Sequence, residues 1–316
     1  MAELAGNAIG DICFGADRIM KLPDSSLRIY APAKLNLGLI VYPSRGDGFH
    51  DLESWFVPIS IYDTLTFHPA DILHLHVTGK CGNVTGNLQD NLVGKAAMLL
   101  ARVMGKTAGA AIHLHKLVPA GGGLGGGSSD AAATLIALNY LWGAHLPSEE
   151  LEQLAAKLGS DVPFFIRCSS TICRGRGERM TPLKFQNWLY AVLFIPPMGV
   201  ATKAVYQRFD ARRPEAPARL PDWSMLDNAS ADKISATITN DLQAPAYDVE
   251  PELKDLSQKL AQITRKPIQM SGSGSTLFAL ADSPEEAEEI RCKATEKADG
   301  RFMVAAARIY RTGEFP

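Results

Sequence analysis

Hydrophobic residues fall into short runs between residues 27 and 77, and glycine, proline or aspartate separates each run from the next. Runs of this length that end at turn-forming residues are typical of β-strands. They predict strands at residues 35–41, 55–61, 65–67 and 73–77. Residues 91–103 then place apolar side chains at helical spacing, and residues 111–118 alternate apolar and polar positions. We therefore predict a helix followed by another strand.

A second set of periodic segments follows residue 127. Residues 128–142 keep apolar side chains on one helical stripe, and a second helix is expected to open at Pro147 and end near Gly159. Arginine and proline concentrate in residues 211–221, which predicts a loop or a domain junction. Helices and strands alternate in the remainder. The pattern favours an α+β class.

The first 27 residues show no clear hydrophobic period and are rich in glycine, so we predict an extension ahead of the first domain. A transit peptide for an organelle is the alternative interpretation. Such peptides are poor in acidic residues. The acidic residues Glu3, Asp11 and Asp17 therefore argue against it.

Composition narrows the class of protein. The chain has 316 residues, 46% of them hydrophobic and 21% charged, and a formal net charge of -2, so no general attraction to nucleic acid or to an anionic membrane is expected. Five scattered cysteines without a CxxC pair argue against a disulfide framework or a structural zinc site. No run approaches the roughly 20 apolar residues of a membrane span. These features favour a cytoplasmic protein.

His113 and His115 alternate with apolar neighbours in the strand predicted at residues 111–118, so they share one face of a sheet. Two histidines two residues apart could bind a metal ion. No carboxylate or cysteine accompanies them in the sequence, and alternation alone explains both. We interpret them as a solvated strand face.

Six glycines stand between the predicted strand and the helix that follows, in the segment from Pro119 to Ser129. Glycine loses more conformational entropy on folding than other residues, so a run of it needs a compensating use. Close approach of backbone N–H groups to an anion at a helix N-terminus is that use in phosphate loops. A flexible linker is the alternative, and it does not account for Ser128, Ser129 and Asp130, which we expect to cap the helix. The loop therefore predicts a phosphate site.

Three familiar phosphate-binding signatures do not fit this loop. G-x-G-x-x-G is matched almost automatically by a run of glycines, and after the first helix a second helix follows where a dinucleotide fold needs a strand. A Walker A motif that ends at Gly105 would need a glycine at position 100, where the chain has Leu100. The H-R-D and D-F-G motifs of protein kinases do not occur.

Three separated segments resemble the superfamily of galactokinase, homoserine kinase, mevalonate kinase and phosphomevalonate kinase, the GHMP kinases. They are APAKLNL at residues 31–37, the glycine loop, and MSGSGSTLF at residues 270–278. RGDGFHDL at 45–52, DNL at 90–92 and LGSDVPF at 158–164 are most similar to the 4-diphosphocytidyl-2-C-methyl-D-erythritol kinase family of isoprenoid synthesis. The resemblance implies a two-domain fold, with an N-terminal domain at residues 28–185 like that of ribosomal protein S5 and a ferredoxin-like C-terminal domain at residues 186–316.

The resemblance also implies roles for individual residues. Lys34, a cation within an apolar strand, and Asp161 would be catalytic, with Asp161 as the general base. ATP would contact the loop and Asn91; the residues are Pro119, Ala120, Gly121, Gly122, Gly123, Leu124, Gly125, Gly126, Gly127, Ser128 and Ser129. The cytidine-linked substrate would contact Asn36, Phe49, His50, Thr202 and Tyr206. Mg²⁺ is expected with ATP, and Ser128 is a candidate ligand for it.

Two positions depart from the family pattern. Phe49 replaces a more usual tyrosine, and Arg176 stands where an apolar residue is more common. Two other functions stay open at this point: a GHMP kinase for another alcohol, such as mevalonate or homoserine, and a nucleotide-binding module without catalysis. The sequence leaves open whether the chain forms a homodimer.

Overall fold

The computed structural model describes residues 18–81, 87–105, 109–212, 215, 217, 221–298 and 300–314. Most of the extension predicted at residues 1–27 and most of the loop predicted at residues 211–221 lie outside the described residues. Within the described part of the chain, no helix combines the length and the apolar character needed to cross a membrane.

Within these ranges, eleven strands pair into one sheet. They are β1 (Ile19–Lys21), β2 (Leu27–Ser44), β3 (His50–His68), β4 (Leu73–Thr78), β5 (Ala110–His115), β6 (Thr171–Gly175), β7 (Arg179–Pro182), β8 (Leu189–Ile195), β9 (Gln269–Met270), β10 (Leu277–Ala281) and β11 (Met303–Ile309).

The helices of the described residues follow the same chain order. They are α1 (Leu92–Met104), α2 (Gly126–Leu141), α3 (Ser148–Ala156), α4 (Val162–Arg167), α5 (Thr202–Ala211), α6 (Ala231–Thr237), α7 (Gln243–Val249), α8 (Pro251–Thr264) and α9 (Pro284–Ala298), with a short 3-10 helix at Trp223–Leu226.

Strand β3 connects the two halves of the sheet. It pairs with β2 along most of its length, with β6 through residues 52–56 and with β5 through residues 64–68. Near its middle, Ile59 pairs with Ile309 of β11. Beyond that contact the strands run antiparallel in the order β11, β8, β10, β9, with α9 between β10 and β11 and α8 between β8 and β9. This order is that of a ferredoxin-like domain.

Each half of the sheet has its own layer of helices and its own core. Helices α1 to α4 pack around Phe67, Leu135 and Phe164, and helices α5 and α7 to α9 pack around Phe194 and Leu260. All these side chains are buried, and each contributes about 1.5–3 kcal/mol of burial free energy. The α+β class is confirmed. The domain division at residues 185 and 186 stays a prediction.

Several predicted elements have different boundaries in the structure. The runs predicted at residues 55–61 and 65–67 belong to one continuous strand, β3, because residues 62–64 between them keep their pairing with β2, although Asp63 is a buried carboxylate. Strand β1, at residues 19–21, pairs with β2 ahead of the expected start of the first domain. Both histidines of β5 are exposed, as predicted.

The predicted cap of the glycine-loop helix is wrong. Helix α2 starts at Gly126, and its N-cap is Gly125, whose φ of 71° lies in the left-handed region and whose position provides no side-chain cap. Glycine adopts this conformation without the steric cost of a Cβ atom. Ser128 and Ser129 therefore lie inside the first turn of the helix. The N-terminal end of α2 is built from backbone alone.

Candidate active site

A cavity of about 780 Å³ is lined by both halves of the chain. The N-terminal half contributes residues of β2, the β2–β3 turn, the glycine loop and residues 158–161. The C-terminal half contributes one face of α5 along most of its length and the glycine turn before β10. Three motifs that are far apart in the sequence therefore meet around one space.

Lys34 lies in β2 and reaches into this cavity. Irregular pairing between β2 and β3 occurs just before Lys34 and just after Asn36, and such bulges re-aim side chains beside functional sites. The two residues are two apart in a strand, so they share a face. The Lys34 ammonium donates to Asn36 Oδ1 and lies 4.4 Å from the centre of the Phe56 ring. Asn36 Nδ2 donates to Ser54 Oγ at 2.8 Å, which fixes the amide.

Asp161 meets Lys34 across the cavity. It stands immediately before α4, and its Oδ2 lies 3.5 Å from Lys34 Nζ. The Lys34 side chain is 4% exposed and that of Asp161 is 32% exposed, so the pair spans the boundary between protein and cavity. Burying an ammonium group without a partner costs free energy, and here Asp161 and Asn36 are both partners of the Lys34 ammonium. The structure brings together the two residues that we expect to be catalytic.

The glycine loop packs against the backbone of Lys34. The backbone N–H of Lys34 donates to the Leu124 carbonyl at 2.9 Å, and the Leu124 side chain is buried. Gly121, Gly123 and Gly125 all have φ between 71° and 78°. Gly121, Gly123 and Ser128 line the cavity. The loop therefore presents backbone and one hydroxyl to the space beside the Lys34 ammonium.

The opposite end of the cavity is aromatic. The His50 ring lies 4.9 Å from the ring of Tyr206, and His50 Nε2 is 2.7 Å from Asp210 Oδ1. Burial and then the charge of Asp161 raise the pKa of Tyr206 to about 12, so its hydroxyl stays neutral. Phe49 is 48% exposed, and its ring lies under the guanidinium of Arg176 at 4.0 Å. Thr202 Oγ1 lies 2.9 Å from Ser273 Oγ at the rim.

Comparison with known proteins gives the same two-part organisation. Residues 91–169 match the GHMP kinases N terminal domain, and residues 224–300 match the GHMP kinases C terminal domain. A 4-diphosphocytidyl-2-C-methyl-D-erythritol kinase of Thermobifida fusca is 38% identical over 84% of this chain and 90% of its own length. The chain belongs to the 4-diphosphocytidyl-2-C-methyl-D-erythritol kinase family.

Solved structures agree with this family assignment. A crystal structure of 4-(cytidine 5'-diphospho)-2C-methyl-D-erythritol kinase superposes with a TM-score of 0.72 at 33% identity, covering 89% of this chain and 98% of that one. Homoserine kinase from Cytophaga hutchinsonii has a TM-score of 0.67 at 18% identity, covering 93% and 98%, and shows the shared fold alone. The two-domain GHMP kinase fold is confirmed, and the chain is a GHMP kinase.

A buried charge network beneath the loop escaped the sequence interpretation of this GHMP kinase. Lys116 pairs with Asp63 and, at 2.7 Å, with Asp130. Asp63 Oδ1 also accepts the N–H groups of Leu117 and Val118, which lead into the loop. All three charged side chains are buried. The signal was present in the sequence, because Lys116 takes an apolar position in the alternation predicted at residues 111–118, just after the end of β5 at His115.

The two carboxylates of this network stabilise the charge of Lys116, whereas burial and the charge of Asp63 destabilise the charged form of Asp130. Burial lowers the pKa of Lys116, but the charges of Asp130 and Asp63 outweigh it and hold that pKa above its usual value. Burial, together with the charge of Asp63, holds the pKa of Asp130 well above its usual range. The network therefore joins β3, β5 and α2 at the base of the loop. In this kinase it positions the loop and does not face the cavity.

Ser271 and Asn240 are further residues that the sequence did not single out. Ser271 Oγ donates to the Gly123 carbonyl at 3.2 Å and accepts the N–H of Asn36, so it joins the glycine loop, β2 and the C-terminal motif. Asn240 Nδ2 donates to the carbonyls of Met270 and Gly272 at 2.7 and 2.8 Å. Together, the hydrogen bonds of Ser271 and Asn240 hold the glycine turn before β10 in place beside the glycine loop.

Some expected contacts of the family site are not along the cavity wall. Asn91 caps α1, because its Oδ1 accepts the Val93 N–H at 2.9 Å. Leu92 lines the cavity beside it. Ser129 is buried, and its hydroxyl has no hydrogen-bond partner among the described residues. The expected ATP contacts of Asn91 and Ser129 stay predictions.

Proposed function

We propose that this chain transfers the γ-phosphoryl group of ATP to the 2-hydroxyl of 4-diphosphocytidyl-2-C-methyl-D-erythritol. The observation that carries the proposal is the Lys34–Asp161 pair, which lies between a glycine-lined end and an aromatic end of one cavity. Phosphoryl transfer needs a donor and an acceptor aligned at charged groups. A cavity with two chemically different ends around such a pair suits that requirement.

The glycine end suits ATP. Gly121 faces the cavity with a positive φ, and nothing lies within 4 Å of where its Cβ would stand, so phosphate oxygens have room to approach the backbone. Ser128 offers a hydroxyl, a hard oxygen donor of the kind that Mg²⁺ accepts beside phosphates. Mg²⁺ bound with ATP would neutralise phosphate charge.

The central pair divides the chemistry between two residues. Asp161 is the proposed general base: it takes the proton of the acceptor hydroxyl as the oxygen attacks phosphorus. Lys34 stabilises the negative charge that develops on the transferred group. Asn36 accepts from Lys34 and keeps the ammonium directed at the cavity. Asn36 and Thr202 also line the wall where the polar tail of the acceptor would lie.

The aromatic end suits the cytosine ring. His50 can hydrogen-bond the edge of the base, and the rings of Phe49 and Tyr206 offer flat surfaces for stacking. The contact with Asp210 orients the His50 ring. This end favours the cytidine-linked acceptor over mevalonate or homoserine, neither of which carries an aromatic base. The cytoplasmic location and a homodimer stay predictions.

The substrate assignment predicts a selective response to the acceptor. In a coupled assay of ADP formation, 4-diphosphocytidyl-2-C-methyl-D-erythritol should accelerate turnover of ATP, while mevalonate and homoserine should leave the background rate unchanged. Comparable turnover of mevalonate would refute the substrate assignment and leave a kinase. No acceleration by any of the three would refute the proposed reaction itself.

The loop assignment predicts that Gly121→Ala weakens ATP binding by about tenfold or more, because a Cβ beside the phosphates forfeits a hydrogen bond to a charged group. Gly105→Ala is the matched control. Gly105 also has a positive φ and free space around its Cβ position, but it ends α1 away from the cavity. Both variants should lose similar stability in thermal unfolding. Equal ATP affinities, measured by calorimetry, would contradict the loop assignment.

A further inference from the structure

Three lysine or arginine side chains line the cavity: Lys34, Arg176 and Lys203. Lys34 has Asp161 as its partner. Among the described residues, no carboxylate pairs with the side chain of Arg176 or of Lys203. Asp210, another carboxylate in the cavity wall, is already in contact with His50. Two uncompensated cations therefore face the acceptor end of a chain whose formal net charge is -2.

Arg176 is held at a defined place. It lies in the turn between β6 and β7, between Gly175 and Gly177, both with positive φ. Its backbone N–H donates to Glu178 Oε2 at 2.6 Å, which pins the turn. The guanidinium carbon lies over the Phe49 ring, 4.0 Å from its centre, and this cation–π contact does not use the N–H groups of the guanidinium as hydrogen-bond donors. Phe49 thus positions a guanidinium whose N–H groups can donate hydrogen bonds to a ligand.

Lys203 comes from the other half of the chain. It follows Thr202 in the first turn of α5, one helical turn before Tyr206 and Gln207, which line the same wall. Lys203 therefore lies on the aromatic side of the cavity, as Arg176 does. The two cations belong to opposite halves of the fold and flank the space beside the aromatic rings.

We infer that Arg176 and Lys203 bind the diphosphate of the nucleotide-linked acceptor and so determine specificity for an acceptor that carries it. The inference rests on the proposed function, because that acceptor joins a base to a polar tail through a diphosphate. With the base among Phe49, His50 and Tyr206 and the reacting hydroxyl at Asp161, the diphosphate lies between these points. An arginine fork and a lysine point charge are both suited to phosphate oxygens.

Binding of cytidine and of cytidine 5'-diphosphate to the full chain tests this role. Arg176→Gln and Lys203→Gln should each weaken the binding of cytidine 5'-diphosphate by roughly 10- to 100-fold, because each removes a hydrogen bond to a charged group. Cytidine keeps the base and ribose but has no phosphate, so its affinity should change less than about twofold. The KM for the complete acceptor should rise in parallel, while kcat and the KM for ATP stay near wild type.

Arg179→Gln is the matched control, because Arg179 is an exposed arginine of the same hairpin that does not line the cavity. It should leave both affinities unchanged. Equal weakening of cytidine and its diphosphate would overturn the inference and assign the side chains to the base. Unchanged diphosphate affinity in either variant would overturn the role of that residue. If the wild-type chain turns over the acceptor and both variants have the same KM for it, this inference alone is refuted. If the wild-type chain shows no turnover of the acceptor, the proposed function is refuted.

Discussion

Asp161→Asn should lower the rate of phosphoryl transfer by roughly 10²–10⁴-fold, the contribution of a positioned general base. Asparagine keeps the size of the side chain and its place before α4, but its amide cannot take the proton of the acceptor hydroxyl. Binding should suffer less, because the carboxylate acts mainly when the proton moves. Single-turnover rates with saturating ATP and acceptor measure the chemical step even where product release limits kcat.

Asp232→Asn provides the control for this change. Asp232 is 71% exposed, pairs with Lys266 and does not line the cavity. Its variant should keep the wild-type rate. Both proteins should show the same circular dichroism spectrum as the parent. A single-turnover rate of Asp161→Asn within a few-fold of wild type would rule out the base assignment.

Lys34→Met should lower kcat and kcat/KM together, by roughly 10²–10³-fold, because it removes a charge that is used mainly in the transition state. Methionine keeps most of the apolar stem, but the contact between the ammonium and the Phe56 ring is lost with the charge. The change leaves Asn36 Oδ1 and Asp161 without the ammonium that joins them. Steady-state kinetics with each substrate varied in turn measure the effect.

Lys254→Met controls for the loss of a lysine, since Lys254 is exposed on α8 and does not line the cavity. It should behave as wild type. A Lys34→Met enzyme whose KM for ATP rises while kcat is unchanged would contradict the transition-state role. That outcome would show that Lys34 serves ground-state binding of ATP.

Local sequence was sufficient for most secondary structure and for the position of the loop. Helix α1 spans Leu92–Met104, close to the predicted residues 91–103, because its apolar spacing and the cap at Asn91 are local features. The start of α2 was predicted two residues late. Serine is a common cap, but here the left-handed conformation of Gly125 allows the helix to begin on glycine.

By itself, the sequence determined the α+β class and the position of the glycine loop between β5 and α2, and it predicted the side chains that we propose for the chemistry. Only the tertiary structure decided which of them meet. Ser271 and Asn36 are 235 residues apart in the sequence and share a hydrogen bond. Phe49 and Arg176, the two positions that depart from the family pattern, are in contact with each other. Hydrophobic periodicity and glycine content are local properties of the chain, whereas bulges, buried ion pairs and the approach of one loop to another depend on packing between distant segments.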